Sequence, residues 1–156
     1  MFNQDEIARY QRHFSLPQIG ESGQLKLKNS SVLVIGAGGL GSASLPYLAA
    51  AGFGKIGIGD FDTIELSNLQ RQTLFTNNDL GKSKAKITKD RLISINPNTK
   101  IETFETAFDE NNALQIARDY DIIIDGSDNF TTRYLANDCA LLLDKPLVFA
   151  SIHQFS

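Results

Sequence analysis

The sequence has little cysteine, proline and histidine, and it contains no tryptophan. Its single cysteine, Cys139, excludes an internal disulfide framework and fits a reducing compartment. No apolar run approaches the length of a membrane span, and the acidic amino terminus lacks the apolar core of a secretory signal. The 15 basic residues do not outnumber the 18 acidic ones, so nothing favours nucleic acid or anionic membranes as partners. We therefore expect a cytoplasmic protein that binds neither.

The sequence does contain a regular alternation of apolar runs and helical segments within a length that suits one domain. A polar helix is expected at 4–13, followed by a connection containing Pro17, Gly20 and Gly23. The strands predicted after it are 31–35, 55–60, 99–104, 121–125 and 147–151, and the helices between them are 39–51, 81–95, 110–118 and 129–143. This βαβ spacing predicts an α/β fold with a mostly parallel, doubly wound sheet.

A glycine-rich turn links the first strand to the next helix and matches the pattern G-x-G-x-x-G. In that pattern Gly36 permits the tight turn, Gly38 lets the backbone approach a phosphate, and Gly41 allows close packing of helix on strand. Asp60 ends the following strand, where a carboxylate can accept hydrogen bonds from ribose hydroxyls. The combination predicts a Rossmann-like nucleotide site. The plain alternative is a tight turn of glycines, and the pattern does not distinguish NAD, FAD and ATP.

Residues 60–72 form a connection that is too long and too polar for a simple link between elements. It places Asn68 and Arg71 close to Asp60, and Lys84 follows at the start of the next helix. A triphosphate carries about four negative charges, which fixed cations and Mg²⁺ stabilise. An arginine and a lysine near the glycine turn therefore favour ATP over a nicotinamide. The plain alternative for the lysines at 82–89 is a solvated helix face.

Asp128 lies in the polar segment that follows the fourth strand, at the same edge of the predicted sheet. Its carboxylate can hold Mg²⁺ together with phosphate oxygens, which is the usual arrangement for that ion. It can equally cap the amino terminus of the next helix. The residues alone leave both interpretations open.

Together these segments resemble the family that contains the MoeB, ThiF and HesA proteins and the ubiquitin-activating enzymes. The resemblance covers nearly the whole chain and looks closest to the MoeB and ThiF branch, because the run Leu66–Gln72 is not expected in dehydrogenases. The matching motifs are RYQRH at 9–13, GAGGLGS at 36–42, DFDT at 60–63, LSNLQRQ at 66–72, GKSK at 81–84, INP at 95–97 and DGSDN at 125–129.

The resemblance implies a reaction. The C-terminal Gly-Gly carboxylate of a ubiquitin-like sulfur-carrier protein, of the molybdopterin or thiamine type, would attack the α-phosphate of ATP. Pyrophosphate would leave, and no side chain would act as nucleophile. The roles implied are phosphate binding by Gly36, Gly38, Gly39 and Gly41, ribose binding by Asp60, triphosphate binding by Asn68, Arg71 and Lys84, and Mg²⁺ binding by Asp128.

The resemblance also implies a homodimer, in which Arg12 of a helical segment at 1–30 reaches into the partner's site as an arginine finger. Family members usually carry a Zn²⁺ site built from two Cys-x-x-Cys pairs, which residues 1–156 lack, so Zn²⁺ is expected only in a longer chain. Residues 145–151 resemble a buried strand close to the end of the chain, from which we expect a partial domain over 1–156. Cys139 is expected in the core, and His13 and His153 are assigned no catalysis.

Two other functions remain open from the sequence. One is an NAD- or FAD-dependent oxidoreductase, which would share the glycine turn. The other is a non-catalytic nucleotide-binding and dimerisation module, or a module that binds the carrier. Within the resembling family, a tRNA-modifying dehydratase also adenylates a carboxylate.

Overall fold

The structure, a computed structural model, describes residues 1–152, so His153 and the end of the expected domain lie outside the described residues. Two 3₁₀ turns are present, Leu66–Asn68 within the polar connection at 60–72 and Asn77–Asp79 after it. The helices are α1 (Gln4–Phe14), α2 (Gly20–Asn29), α3 (Gly39–Ala51), α4 (Lys84–Ile95), α5 (Ala113–Ala117) and α6 (Phe130–Leu142). The strands are β1 (Ser31–Ile35), β2 (Lys55–Gly59), β3 (Lys100–Phe104), β4 (Ile122–Asp125) and β5 (Leu147–Phe149). Within residues 1–152, none of these helices is long and apolar enough to cross a bilayer.

The five strands form one parallel sheet in the order β3-β2-β1-β4-β5, which confirms the predicted α/β fold with a doubly wound sheet. The order reverses between β1 and β4, and ligands of such sheets bind in the crevice at that reversal. Ile35 at the end of β1 is in register with Gly59 of β2 and Asp125 of β4. The loops that follow these three strands therefore emerge side by side. We call this carboxyl edge of the sheet the rim, and the opposite edge the amino edge.

β1 is buried throughout and apolar from Val32 to Ile35, so helices have to cover both faces of the sheet. Val32 and Val34 point to the face covered by α3 and α4, where they pack with Leu45 and Leu92. Leu33 and Ile35 point to the other face, which α5 and α6 cover. Cys139 lies in this second core with 1% of its surface exposed, as expected for a small core residue.

The structure corrects two predictions. Gly20 and Gly23 were expected to lie in a connection, but both belong to α2, in which a fully buried Gln24 donates to a carbonyl of α3. The last strand was expected to be buried over 147–151. Only Leu147–Phe149 form β5, which is an outermost strand with one neighbour, and Val148 and Phe149 are 54% and 62% exposed. A sequence of apolar residues does not reveal whether a strand has one neighbour or two.

Candidate functional site

The glycine turn at the start of the rim is too tight for side chains at two of its positions. Gly36 has φ +91°, and a Cβ there would lie 3.0 Å from the carbonyl oxygen of Gly126 in the loop after β4. At Gly41, a Cβ would lie 1.9 Å from the Gly36 carbonyl oxygen. Glycine at these two positions lets α3 begin directly against the end of β1, so the predicted roles in turning and packing match the geometry.

Gly38 and Gly39 differ from these two because they face side chains and not backbone. A Cβ on Gly38 would come no closer than 3.7 Å to Nε2 of Gln72, and a Cβ on Gly39 would lie 3.8 Å from Cδ of Arg71. The first amides of α3 have no carbonyl partner within the helix and carry the positive end of its dipole. This surface of the turn therefore suits an anion such as a phosphate.

Asp60 holds the glycine turn to the loop that follows β2. It is 8% exposed, its Oδ2 accepts from the Ala37 amide at 2.7 Å, and its Oδ1 accepts from the Asp62 amide at 2.9 Å. Burial raises the pKa of the Asp60 carboxyl, although the two amides and nearby Lys84 oppose that rise. The structure thus places the predicted ribose-binding carboxylate at the rim beside the turn.

Lys84 is buried at the first position of α4, with 5% of its surface exposed. Its Nζ donates to Oδ2 of Asp62 at 2.9 Å, while its own amide donates to the Asp62 carbonyl oxygen at 3.0 Å. A bridge between Thr63 and Ser83 fixes this approach of the polar connection to α4. The lysine, Asp62 and Asn68 are among the residues that line a cavity of about 170 Å³. An ammonium group is therefore held beside Asp60 and next to an open space.

Arg71 lies on the other side of the glycine turn. Its side chain passes over Gly39, and its guanidinium donates to the carbonyl oxygen of Ser67 at 3.1 Å. The residue is exposed, so the charge remains accessible. Arg71 thus places a cation beside the turn, and Lys84 places a second one beside Asp60.

The third part of the rim follows β4. Asp125 is 1% exposed, accepts from the Ser127 amide at 2.9 Å, and pairs with Nε of Arg133 at 3.4 Å. Asn129 caps α6, because its Oδ1 accepts from the Thr132 amide at 2.9 Å. The interpretation of Asp128 as that cap is therefore wrong, and its carboxylate is exposed at the rim. In residues 1–152 no group of three or more His, Cys, Asp or Glu side chains is arranged to hold a metal ion.

Arg12 does not join the other predicted site residues. It is exposed on α1, which packs at the amino edge, where Arg9 donates to the carbonyl oxygen of Ile95 at 2.8 Å. Ile95 is the last residue of α4, whose first residue, Lys84, lies at the rim. Twelve helical residues span about 18 Å, which is beyond the reach of an arginine side chain. Arg12 is therefore too far from the rim of its own chain to act there.

Sequence reasoning missed three residues that shape the rim. Asp62 is the ion-pair partner of Lys84, and Arg133 pairs with the buried Asp125. Gln72 is 3% exposed beside Gly38, and its Oε1 has no hydrogen-bond partner among residues 1–152. The motifs contain Asp62 and Gln72, but nothing in the sequence tells where their side chains point.

The fold and the glycine turn define an α/β domain of the Rossmann-like class. This chain belongs to the ThiF family, whose profile matches residues 10–156. It is 49% identical over 154 residues to the sulfur carrier protein adenylyltransferase of Thermus thermophilus. It is 52% identical, also over 154 residues, to the probable molybdopterin-synthase adenylyltransferase of Porphyra purpurea. These alignments cover 99% of this chain but 57% and 40% of the two relatives, so the chain spans about half their length.

Solved structures agree with the fold. The E. coli tRNA N6-threonylcarbamoyladenosine dehydratase TcdA, in complex with ATP, superposes with a TM-score of 0.90 at 24% identity, covering 96% of this chain and 61% of TcdA. E. coli MccB, in complex with AMPCPP and MccA, superposes with a TM-score of 0.81 at 30% identity, covering 92% and 44%. The predicted family and fold are thus confirmed, and the family disfavours the oxidoreductase interpretation.

Proposed function

We propose that this chain forms the nucleotide-binding part of an enzyme that uses ATP to adenylate the C-terminal carboxylate of a ubiquitin-like sulfur-carrier protein. The relatives named above are adenylyltransferases whose names refer to a sulfur carrier or to molybdopterin synthase. Those names leave open whether the pathway is of the molybdopterin or the thiamine type.

The burial of Lys84 is the observation that carries the proposal. The Lys84 side chain is 7% exposed, and a buried ammonium group costs several kcal/mol of desolvation unless it is well paired. Asp62 supplies that pairing, but its side chain is 53% exposed and therefore only partly compensates. Lys84 lines the cavity together with Asp62, Thr63, Glu65 and Asn68, and its neighbour Asp60 accepts from the Ala37 amide of the glycine turn. A buried cation in this position fits an anionic ligand such as a phosphate. It does not fit a nicotinamide ring, which is cationic when oxidised and neutral when reduced.

The proposed chemistry is positioning and charge stabilisation. The α3 amino terminus would bind phosphate oxygens, Asp60 would accept from the ribose hydroxyls, and Asn68 would lie against the triphosphate. Arg71 and Lys84 would stabilise the charge that develops as the bond between the α-phosphate and pyrophosphate breaks. The carrier carboxylate would form the new bond to the α-phosphate, giving an acyl-adenylate.

Mg²⁺ fits the rim through Asp128, whose exposed carboxylate is not used as a helix cap. The ion commonly binds through one or two carboxylates together with phosphates and water, so a preformed cage is not required. When bound, it would neutralise charge on the phosphates. The zinc site of two Cys-x-x-Cys pairs has no counterpart in residues 1–156, which contain one cysteine.

Arg12 would complete the site of a second copy in a homodimer. Its position at the amino edge supports this arrangement, since its own rim is too distant. A planar, permanently charged guanidinium suits a transition state that carries charge on phosphate oxygens. The arrangement would make activity depend on dimerisation.

ATP–pyrophosphate exchange tests the proposal, using the full-length protein and a carrier that ends in Gly-Gly. We expect Lys84→Met to lower the exchange rate by about 100-fold or more, because one preorganised charge contact is typically worth that much. Lys82→Met is the matched control, since Lys82 is two positions away and its side chain is 55% exposed. Exchange without the carrier, or equal losses in both variants, would contradict the proposal. A folded dimer that binds ATP without any exchange would favour the non-catalytic module, and tight binding of NADH without ATP binding would favour an oxidoreductase.

A further inference from the structure

Two sequence motifs that have no part in the rim meet at the amino edge. Asn96 of the INP motif is fully buried, and its Nδ2 donates to the Tyr10 hydroxyl at 2.8 Å and to the Ala49 carbonyl oxygen at 2.7 Å. Tyr10 belongs to the RYQRH motif on α1 and is 3% exposed. The side-chain amide thus links α1 to the carboxyl end of α3 at the point where α4 ends.

A second buried amide extends this link to α2. Gln24 is fully buried, and its Nε2 donates to the Ala51 carbonyl oxygen at 2.8 Å. Its Oε1 lies 2.6 Å from Nδ1 of His13, whose ring stacks on Tyr10 with 5.9 Å between the ring centroids. Gly52 makes room for both groups, because a Cβ there would lie 2.5 Å from the Tyr10 hydroxyl oxygen. We call Tyr10, His13, Gln24 and Asn96 the amino-edge network.

The network acts on the same two helices that begin at the rim. α3 starts at Gly39 and ends at Ala51, and α4 starts at Lys84 and ends at Ile95. Packed helices transmit position, so α1 is fixed relative to the rim through two rigid elements. Arg12 directly precedes His13, and its own side chain is exposed.

We infer that Tyr10, Gln24 and Asn96 are positioning residues for Arg12. The inference rests on the proposed function, in which Arg12 acts on the site of a second copy. A charged group that must meet a transition state in another subunit works only if its base is fixed, because a displacement of about 1 Å can cost up to about 100-fold in rate. Buried polar networks whose members are all paired specify one arrangement.

Pyrophosphate exchange by the full-length dimer, measured in two backgrounds, tests this inference. Tyr10→Phe removes only the hydroxyl, and we expect it to lower kcat by between about 3-fold and 100-fold with KM for ATP unchanged. In an Arg12→Ala background the same substitution should have no further effect on kcat, because its influence passes through the arginine. Ser31→Ala is the control for general destabilisation. It removes a hydroxyl that donates to Asp121 at 2.7 Å, at the same edge but outside the network.

Three results would overturn the inference: unchanged kcat in Tyr10→Phe, an equal fractional loss in both backgrounds, or a comparable loss in Ser31→Ala. If Arg12→Ala alone leaves exchange unchanged, the proposed role of Arg12 fails and the inference fails with it. If the wild-type protein shows no exchange, the proposed adenylation fails instead. Amide hydrogen exchange then decides on the network itself. If the network fixes α1, the amide hydrogens of residues 4–14 should exchange faster in Tyr10→Phe than in wild type, while those of residues 36–42 should not. Unchanged protection of residues 4–14 would refute this role of the network.

Discussion

Gly41 and Gly38 belong to the same turn, yet a methyl group added at each should have different consequences for stability and for ATP binding. At Gly41, a Cβ would lie 1.9 Å from the Gly36 carbonyl oxygen, whereas ordinary contacts begin at 3.4 Å. The α3 amino terminus would have to move by about 1.5 Å from β1, in a core that is closely packed. At Gly38 the nearest atom is 3.7 Å away, although its ψ of −148° lies outside the regions that residues with a Cβ prefer.

We therefore expect Gly41→Ala to destabilise the protein by about 3 kcal/mol, the upper part of the usual range for overpacking, because the obstacle is backbone and not a flexible side chain. For a domain of this size that corresponds to a fall in Tm of about 6–12 °C. Gly38→Ala should lower the free energy of unfolding by only about 1 kcal/mol, the lower end of the cost of a strained backbone conformation. It should nevertheless weaken ATP binding by at least about tenfold, because the methyl group occupies the surface that a phosphate would approach.

Thermal unfolding and calorimetric titration with ATP, carried out on both variants, separate the two effects. Equal falls in Tm would show that the turn is not divided into a packing position and a binding position. ATP binding of wild-type strength by Gly38→Ala would refute the assignment of Gly38 to the phosphates. A Gly41→Ala protein with wild-type Tm would show that α3 can move away from β1 without loss of stability.

Two further predictions concern stability. Lys100, Lys55 and the Tyr120 hydroxyl lower the pKa of Glu102 to about 2, although partial burial opposes them. The stabilisation is thus complete above the ordinary pKa of 4.5 and is lost as pH falls through about 2. After allowance for solvent screening, urea unfolding should show Glu102→Gln to be less stable than wild type by about 2 kcal/mol at pH 7. This difference in the free energy of unfolding should narrow below pH 4.5. A difference that does not change with pH would contradict the proposed dependence of stability on the charge of Glu102. Thr88 is fully buried and its Oγ1 has no partner among residues 1–152. Thr88→Val should therefore leave the free energy of unfolding unchanged or raise it by about 1 kcal/mol, while a comparable loss would reveal a hidden partner for the hydroxyl.

The strands and the glycine turn could be predicted from the sequence because their signals are local. A parallel strand buried on both faces, such as β1, is a continuous apolar run, and the turn requires glycine for steric reasons alone. α2 could not be predicted in this way. It contains two glycines, and its buried anchor is the polar Gln24, whose partners come from α1 and α3. Tertiary hydrogen bonds, and not helix propensity, hold it in place.

In the candidate site, too, some residues could be placed from the sequence and others could not. Asp60 and Lys84 could be placed at the rim because each follows directly from the position of an element end in a parallel sheet. The choice between Asp128 and Asn129 as helix cap could not be made, because both residue types cap helices equally well. Backbone geometry decides it: Asn129 adopts the extended conformation of a cap, and its side chain meets the Thr132 amide.

In the proposed site, the pair formed by Lys84 and Asp62 would hold a buried cation in place before an anionic ligand binds. An ammonium group has three donors, and the hydrogen bond to Oδ2 of Asp62 uses one of them. A phosphate entering the adjoining cavity can therefore be bound without breaking the existing ion pair. Because Asp62 is also fixed through its amide to Asp60, which in turn holds the Ala37 amide, the lysine and the glycine turn share one rigid frame. The charge is thus oriented before a ligand arrives, and binding does not have to supply that ordering.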